Sequence, residues 1–362
     1  MIKTPLFEQH KKLSAKFAPF AGWQMPAQYS GIIDEHLYCR SSACVFDICH
    51  MGEFFLKAEP EKSGMEKIFL FSTKVKDIPL QKCRYGVMLN EKGKIIDDLV
   101  IYRRAIDEWM IVVNAATTRS DFLHIQANLN KGALLEDRSD RTGKLDLQGP
   151  LSRDILAGLF GPGINELQYY AFDYFDILGE KNIISRTGYT GELGYEIYIS
   201  SEKTKELWSL LLGDERVKPA GLGARDTLRL EMGYVLYGRD ITEQTSPLEA
   251  GMERMIDLDK EFIGKSALLD EKKAGVKKSL VAIRASSRRP PRHDYQIFNG
   301  EEKIGRVTSG GFSPSLGCGI ALGYVEPAEA KIDLPVSIRN NSVIIEAVTT
   351  KRPFLKDTSL RK

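Results

Sequence analysis

Hydrophobic positions fall in short runs along the chain, and the runs carry two periods. Apolar and polar side chains alternate, as in an extended strand, through Gly194-Tyr195-Glu196-Ile197-Tyr198-Ile199. Helical spacing marks Lys203–Leu212, where Leu207, Leu210 and Leu211 share one side. In the middle of the chain, Tyr85–Leu89, Ile95–Tyr102 and Trp109–Asn114 read as consecutive strands. The first two are joined by a turn at Asn90-Glu91-Lys92-Gly93, where glycine accepts a positive φ. A helix from Thr117 to Asn130 follows. A meander plus a helix is the material of an α+β layer.

The same patterns predict a helix from about Gly31 to Ala43 and a strand over Val45–Lys57, interrupted near His50-Met51-Gly52. The stretch before them, with Phe20-Ala21-Gly22-Trp23-Gln24-Met25-Pro26, is punctuated by Gly and Pro and reads as a surface loop or short strand. Further on come a strand near Lys144–Gln148, a helix over Leu151–Leu159, and strands at Tyr169–Leu178 and Lys181–Arg186. Another helix opens at Gly221 and runs to about Met232. From Lys278 the texture changes to short strands broken by Pro and Gly: Ser279–Ala285, Gln296–Phe298, Lys303–Ser309, Gly319–Val325, Pro335–Ile338 and Val343–Val348. Such a series predicts an all-β C-terminal domain, sandwich or barrel-like.

Composition narrows the class. At 362 residues two or three domains are expected, and 43% hydrophobic with 28% charged residues is ordinary for a globular protein. Lys plus Arg is 51 against 49 for Asp plus Glu, a net charge of +2, which argues against a broad nucleic-acid surface. No run approaches the roughly 20 apolar residues that span a bilayer, so no membrane partner is expected. The opening Met1-Ile2-Lys3-Thr4-Pro5-Leu6 lacks the apolar core of a secretory signal, and a cytoplasmic location is expected. Cys39, Cys44, Cys49, Cys83 and Cys318 are an odd set, read as free thiols rather than a disulfide framework. Their spacing matches no standard zinc or iron–sulfur site, and no metal is expected.

Four segments could carry chemistry. In Ile95-Ile96-Asp97-Asp98-Leu99-Val100-Ile101-Tyr102, strand alternation sends Asp97 and Asp98 to opposite, largely apolar faces. Either both are structural, bonded to turn amides or a basic partner, or one faces a cleft and meets a cationic or N–H-bearing substrate. Arg186-Thr187-Gly188-Tyr189-Thr190-Gly191-Glu192-Leu193-Gly194-Tyr195-Glu196 is glycine-rich, which marks a tight turn or a close backbone approach, but it lacks the Gly-Lys-Ser/Thr of a phosphate loop. In Gly221-Leu222-Gly223-Ala224-Arg225-Asp226-Thr227-Leu228-Arg229, Arg225 lies in a helix's first turn, against the macrodipole, and calls for an acidic partner or a ligand carboxylate. Arg229 lies one turn on. Thr308-Ser309-Gly310-Gly311-Phe312-Ser313-Pro314-Ser315-Leu316-Gly317 reads as a long turn in the β domain. The five histidines show no metal-ligand spacing, and no nucleophile triad signature is present.

These segments, together with Phe20-Ala21-Gly22-Trp23 and Phe46-Asp47-Ile48-Cys49-His50-Met51-Gly52-Glu53, occur in the order found in glycine cleavage T-proteins. The chain resembles that family from Thr4-Pro5-Leu6 to Lys351-Arg352-Pro353-Phe354. The resemblance implies an α+β fold of three domains around a folate pocket: residues 1–50 with 141–245, residues 51–140 with 246–277, and a jelly-roll-like or barrel-like β domain over 278–362. It implies an aminomethyltransferase that passes the methylene of a lipoyl-bound aminomethyl group on H-protein to tetrahydrofolate, releasing ammonia. By the same matching, Asp98 is the family's essential carboxylate and Glu196 meets the pterin's N–H edge. Tyr85, Asn114, Tyr169, Tyr189, Arg225 and Tyr234 are carried over as folate-pocket residues, with Arg361 in the tail as a further one. The end of folate that Arg225 meets is left open.

The sequence departs from the family pattern at three places. Cys49 stands where Ser is common, Leu193 where an acidic residue is common, and His293-Asp294 where Gly is usual. Two alternatives follow from the same likeness: a demethylase of the same fold acting on another donor, and a non-catalytic folate-binding protein of iron–sulfur assembly. The latter carry a Lys-Gly-Cys-Tyr-x-Gly-Gln-Glu signature, whereas this chain has Arg-Thr-Gly-Tyr-Thr-Gly-Glu.

Overall fold

In the computed structural model, which describes residues 1–341 and 343–362, the strand bearing the aspartate pair lies second in a five-stranded antiparallel sheet. Its order is Cys83–Leu89, Ile95–Arg103, Glu108–Val113, Gly52–Lys57, Leu134–Asp137. Leu99 and Ile101 enter a core with Phe54, Trp109 and Ile125. Asp97, on their face, is fully buried, while Asp98 points to the other face and is half-buried. The period-2 alternation therefore decides which carboxylate can reach a substrate.

The second sheet has six strands in the order Phe172–Ile177, Glu180–Ser185, Gly194–Ser200, Thr142–Gln148, Ala43–Asp47, Val217–Pro219. All its pairs are antiparallel except Val217–Pro219 with Ala43–Asp47. Leu145, Leu147, Tyr195 and Ile197 fill one side with Trp208 of the Thr204–Leu212 helix. The two sheets meet edge to edge: Cys83 N donates to Tyr170 O at 2.9 Å and Phe172 N to Gln81 O at 3.0 Å. Tyr102, Met110, Phe172, Ile183 and Tyr198 form the apolar seam beside that junction. Each such side chain contributes about 1.5–3 kcal/mol by leaving water, enough to fix the two sheets relative to one another.

The C-terminal strands close into a six-stranded barrel, in the order Ser279–Ala285, Cys318–Val325, Glu302–Ser313, Gln296–Asn299, Pro335–Asn340, Val343–Thr350 and back to the first. Closure pairs every edge, and Ile283, Ile297, Val307 and Ile338 fill the interior. Of the sandwich or barrel that the short strands predict, the barrel is what forms. The Leu222–Glu231 helix ties the parts together. Leu228 packs on Phe46 and Ile48, and Leu230 on Ala282, Ile320 and Leu322 of the barrel. A Cβ at Gly221 would overlap the Ala27 backbone, so the helix start packs tightly on the N-terminal strands.

Several elements differ from the sequence expectation. Lys16–Phe20 and Trp23–Gln28 form a hairpin where a surface loop was equally expected. Its tip, Ala21 and Gly22, has φ of 47° and 82°, the two positive angles that a tight hairpin turn requires. Ala is an unusual residue there, which hides the turn. The Val45–Lys57 run splits into Ala43–Asp47 and Gly52–Lys57, which belong to different sheets. The expected long turn from Thr308 is strand as far as Ser313, with a register shift between Val307 and Ser309. The Leu134–Asp137 strand and the Lys265–Ala274 helix are elements beyond those that the sequence pattern predicts. No helix of the described residues is long and apolar enough to cross a membrane.

Candidate active site

Asp98 is held at both oxygens. Tyr85 Oη donates to Oδ2 at 2.8 Å and Asn114 Nδ2 to Oδ1 at 2.8 Å. Tyr85 comes from the neighbouring strand and Asn114 from just past the end of the next one, so the sheet's order brings them to Asp98. Burial, then the charge of Asp97, pushes the Asp98 pKa up from 3.8 to about 7, and the two hydrogen bonds offset this only in part. Its proton affinity therefore lies where a general base or acid works near neutrality.

Aromatic side chains continue from this carboxylate. Tyr189 stacks on Tyr234 with ring centroids 5.8 Å apart, and its hydroxyl donates to the Val235 carbonyl. The Arg361 guanidinium lies 4.6 Å from the Tyr169 ring centroid, and burial raises the pKa of both Tyr169 and Tyr234. Tyr85, Asp98, Asn114, Tyr169, Tyr189, Arg225 and Tyr234 are all half-buried. Arg361 is exposed.

A polar row lies beyond the tyrosines. On the Thr142–Gln148 strand, Lys144, Asp146 and Gln148 share the face opposite Leu145 and Leu147. All three are buried. The register sets Asp146 beside Glu196 and Lys144 beside Tyr198. Glu196 accepts from Thr187 Oγ1 at 2.6 Å and from Tyr102 Oη at 3.3 Å, and its other oxygen lies 3.3 Å from Lys144 Nζ. Burial raises the Glu196 pKa, but Lys144, Thr187 and Arg225 outweigh it and hold the carboxyl below the usual range. Glu196 is therefore a firm anion at neutral pH. Arg225 pairs with Asp146, whose pKa burial lifts to about 6 against the pull of Arg225. The Arg225 guanidinium also sits 5.1 Å from the Tyr189 ring centroid, linking the row to the tyrosines. The acidic partner that its place in the helix calls for is thus Asp146.

The glycine-rich run has a steric cause. A Cβ at Gly188 or Gly194 would overlap the Gln148 amide, and one at Gly191 (φ 77°) would overlap Met232. Thr190 Oγ1 donates to Gln148 Oε1 at 2.5 Å, and Gln148 Nε2 donates to the Thr187 carbonyl at 3.0 Å. The run wraps one buried amide and so sets Tyr189 and Glu196 relative to each other.

Arg229 does not join these residues. It is 2% exposed and pairs with Asp240 at 2.9 Å and Asp226 at 2.7 Å, while donating to Ser309 Oγ at 3.0 Å. It anchors helix to barrel. Glu231 does the same with Ser313, Ser315, His36 and Arg40. The Thr308–Leu316 segment is thereby a joint between barrel and helix. Lys144, Asp146 and Tyr102 also belong to this group, and no sequence motif marks them. The signal available for the first two was a strand face bearing three consecutive polar residues beside an apolar face. All five cysteines are free and buried, and no cluster of metal ligands occurs among the described residues.

A mixed α+β body joined by a helix to a C-terminal closed barrel, with a half-buried carboxylate gripped by Tyr85 and Asn114, defines the class of the protein. Residues 6–260 match the family model of the GCVT N-terminal domain, and residues 278–356 that of the glycine cleavage T-protein C-terminal barrel domain. The chain is 42% identical over 361 residues to the aminomethyltransferase of Halothermothrix orenii, covering 98% of this chain and 100% of that one. It is 40% identical over 366 residues to the aminomethyltransferase of a Thermotoga species, covering all of both chains. The crystal structure of glycine cleavage system aminomethyltransferase T from Bartonella henselae superposes with a TM-score of 0.91 at 33% identity, covering 99% of each chain. The chain belongs to the glycine cleavage T-protein family, whose members are tetrahydrofolate-using transferases.

Proposed function

We propose that this chain is the tetrahydrofolate-dependent aminomethyltransferase of a glycine cleavage system, with Asp98 as its reacting carboxylate. The donor is the aminomethyl group on the lipoyl arm of H-protein. Two bonds form, from N5 and N10 of tetrahydrofolate to the methylene carbon. Two break, from that carbon to nitrogen and to sulfur. The two N–H protons of the folate end on the departing ammonia and the lipoyl thiol, so 5,10-methylenetetrahydrofolate forms without an oxidant.

The chain's own groups suit these steps. Positive charge builds on the methylene carbon and on N5 as ammonia leaves. A carboxylate already desolvated, and fixed at both oxygens by Tyr85 and Asn114, stabilises that charge without reorganising. With a pKa near 7 it also accepts and returns a proton at neutral pH. Glu196, held anionic by Lys144 and Thr187, is the acceptor we assign to the pterin's N–H edge. Tyr85, Tyr169, Tyr189 and Tyr234 offer flat apolar surface for the pterin and aminobenzoyl rings, with Asn114, Arg225 and Arg361 as the remaining pocket residues.

The observation that carries the reading is the two-point grip on a half-buried carboxylate whose proton affinity is raised to neutrality. The test is folate-dependent ammonia release from aminomethylated H-protein. Wild type should release ammonia only when both folate and carrier are present. Tetrahydrofolate binding without ammonia release would sink the donor assignment.

A further inference from the structure

Behind Asp98, on the core face of the same strand, lies a carboxyl pair that the reaction does not touch. Asp97 is fully buried, and it accepts from Asn114 twice: Nδ2 to Oδ1 at 2.8 Å and backbone N to Oδ2 at 3.0 Å. Beside it lies Asp121, from the first turn of the Thr118–Asn128 helix: its backbone N–H donates to the Thr117 carbonyl at 2.8 Å and that of Thr117 to the Asn114 carbonyl at 3.2 Å, which sets Asp121 one turn on from the residue that bonds Asp97. Asp121 is also fully buried, and neither of its oxygens receives a hydrogen from any donor. The neighbouring Thr117 hydroxyl spends its proton on the Asn114 carbonyl at 3.1 Å. The titratable groups that act on the pair from outside are Asp98 and Tyr237, and neither brings a positive charge.

Two neighbouring buried carboxylates with no cation between them cannot both stay ionised in a dry core. Each isolated buried charge costs several kcal/mol, and their repulsion adds to it. A retained proton removes both costs, and Asp97, which already accepts two hydrogens from Asn114, is the better anion. We propose that Asp121 is a positioning residue: as a neutral carboxylic acid it donates a hydrogen bond to the Asp97 carboxylate and, through Asp97, fixes the Asn114 amide that holds Asp98. The inference rests on the reading of Asp98 as the reacting carboxylate.

Asn114 links the two aspartates. Its amide has two hydrogens, and Asp97 Oδ1 and Asp98 Oδ1 each lie 2.8 Å from Nδ2. The orientation of that amide, and with it the grip on Asp98, depends on Asp97 remaining a carboxylate in place. A single negative charge on the pair also adds to the raised proton affinity of Asp98. A second charge would raise it further.

Asp121→Asn replaces the acid O–H by an amide N–H and leaves one negative charge on the pair. Asp121→Leu removes the donor. The Leu variant should lose about 10- to 100-fold in kcat through misplacement of Asn114 and Asp98, and the acid limb of its kcat/KM profile should move. The Asn variant should restore kcat to within about threefold of wild type and leave that limb in place. A purely structural role for Asp121 moves no limb. Infrared difference spectra give a reading independent of activity. At about pH 8.5, Asp98 is ionised and Asp121, with a pKa raised to about 10 by burial and by Asp97, still holds its proton. Wild type should then show a neutral carboxylic acid band that the Asn variant lacks, while a buried neutral Glu53 contributes to both. Absence of that difference, or a downward shift of the acid limb in Asp121→Asn, would overturn the proposal. If Asp121→Leu does not fold, the Asn variant and the spectra still decide. Full activity in Asp98→Asn would fail the catalytic reading of Asp98 but leave the band in place, so the two failures are distinguishable.

Discussion

Replacing Asp98 by Asn changes one charge and almost no volume, and its consequences for rate and stability have opposite signs. Asn can still accept from Asn114 through its carbonyl oxygen and can donate its amide to Tyr85 Oη, which turns from donor to acceptor. The sheet around it should hold. The reaction loses the anion, and a proton-transfer or charge-stabilising group of this kind accounts for about 10²- to 10⁴-fold in rate, or about 3–5 kcal/mol of barrier. We therefore expect kcat for folate-dependent ammonia release to fall by that factor. The KM for tetrahydrofolate should change far less, because Glu196 and the tyrosines remain.

Stability should rise. The Asp98 pKa moves from 3.8 to about 7 on folding, so the folded state binds its proton more tightly than the unfolded one. The stability this confers is complete below about pH 4 and is lost as pH rises through 7. At pH 8 wild type thus carries a destabilising carboxylate that Asn lacks. A shift of about three pH units corresponds to about 4 kcal/mol, and the weaker hydrogen bonds of Asn reduce this, so a gain of about 1–4 kcal/mol is expected at pH 8 and none at pH 4. Ammonia assays across pH, with thermal melts at those two values, measure both. In wild type kcat/KM should rise through about pH 7 as Asp98 ionises, and the variant should lack that limb. A variant within about threefold of wild type, or one that keeps the limb, would refute the role given to Asp98.

Other perturbations separate binding from scaffolding. Glu196→Gln removes a charge-assisted acceptor worth about 1.5–3 kcal/mol, so tetrahydrofolate should bind about 10- to 100-fold more weakly by calorimetry; an unchanged Kd would take Glu196 out of the pocket. Arg229→Ala leaves Asp240 buried without its cation, and chemical denaturation should show a loss of about 3–5 kcal/mol; a loss below about 1 kcal/mol would mean that helix and barrel are held by apolar packing alone. Glu53 is fully buried with neither oxygen bonded, and burial pushes its pKa well above the usual range. Glu53→Gln should therefore stabilise the protein at pH 8 and not at pH 4, and equal effects at both pH values would contradict a neutral Glu53.

The fold was legible where one local signal sufficed. The Asn90–Gly93 turn, the alternating Gly194–Ser200 strand and the Leu207/Leu211 face each follow from a handful of neighbouring residues. The Ala21-Gly22 turn was not, because its geometry depends on an Ala held at positive φ by the hairpin around it. Nor was the fate of Val45–Lys57. One apolar stretch supplies strands to two sheets, and a Cβ at Gly52 would collide with Val113 and Thr118, residues that only tertiary folding brings near. The short Leu134–Asp137 strand carries few apolar residues of its own and exists because the Gly52–Lys57 edge pairs with it.

For the candidate site, alternation alone separates Asp97 from Asp98. It cannot say which faces the core, because that depends on Phe54 and Trp109 arriving from other strands to cover one side. Lys144, Asp146 and Gln148 show the same limit more sharply. By pattern they form the polar face of a half-buried strand, and the usual place for such a face is water. Here the seam that joins the two sheets and the Leu222–Glu231 helix cover it, so each charge must find a partner: Lys144 takes Glu196, and Asp146 takes Arg225. A row of paired, desolvated charges is costly to build, and replacing such pairs with apolar residues is often stabilising. Its physical justification lies in what it fixes. Glu196 becomes a firm anion with a defined direction, and Arg225 is held 5.1 Å from the Tyr189 ring centroid, while Asp98, which lacks a cation, keeps its proton affinity near neutral. The two carboxylates are thus pushed in opposite directions, Glu196 by Lys144 and Thr187, Asp98 by burial and Asp97. In the reaction proposed above, that separation suits Glu196 to a neutral N–H edge and Asp98 to proton exchange.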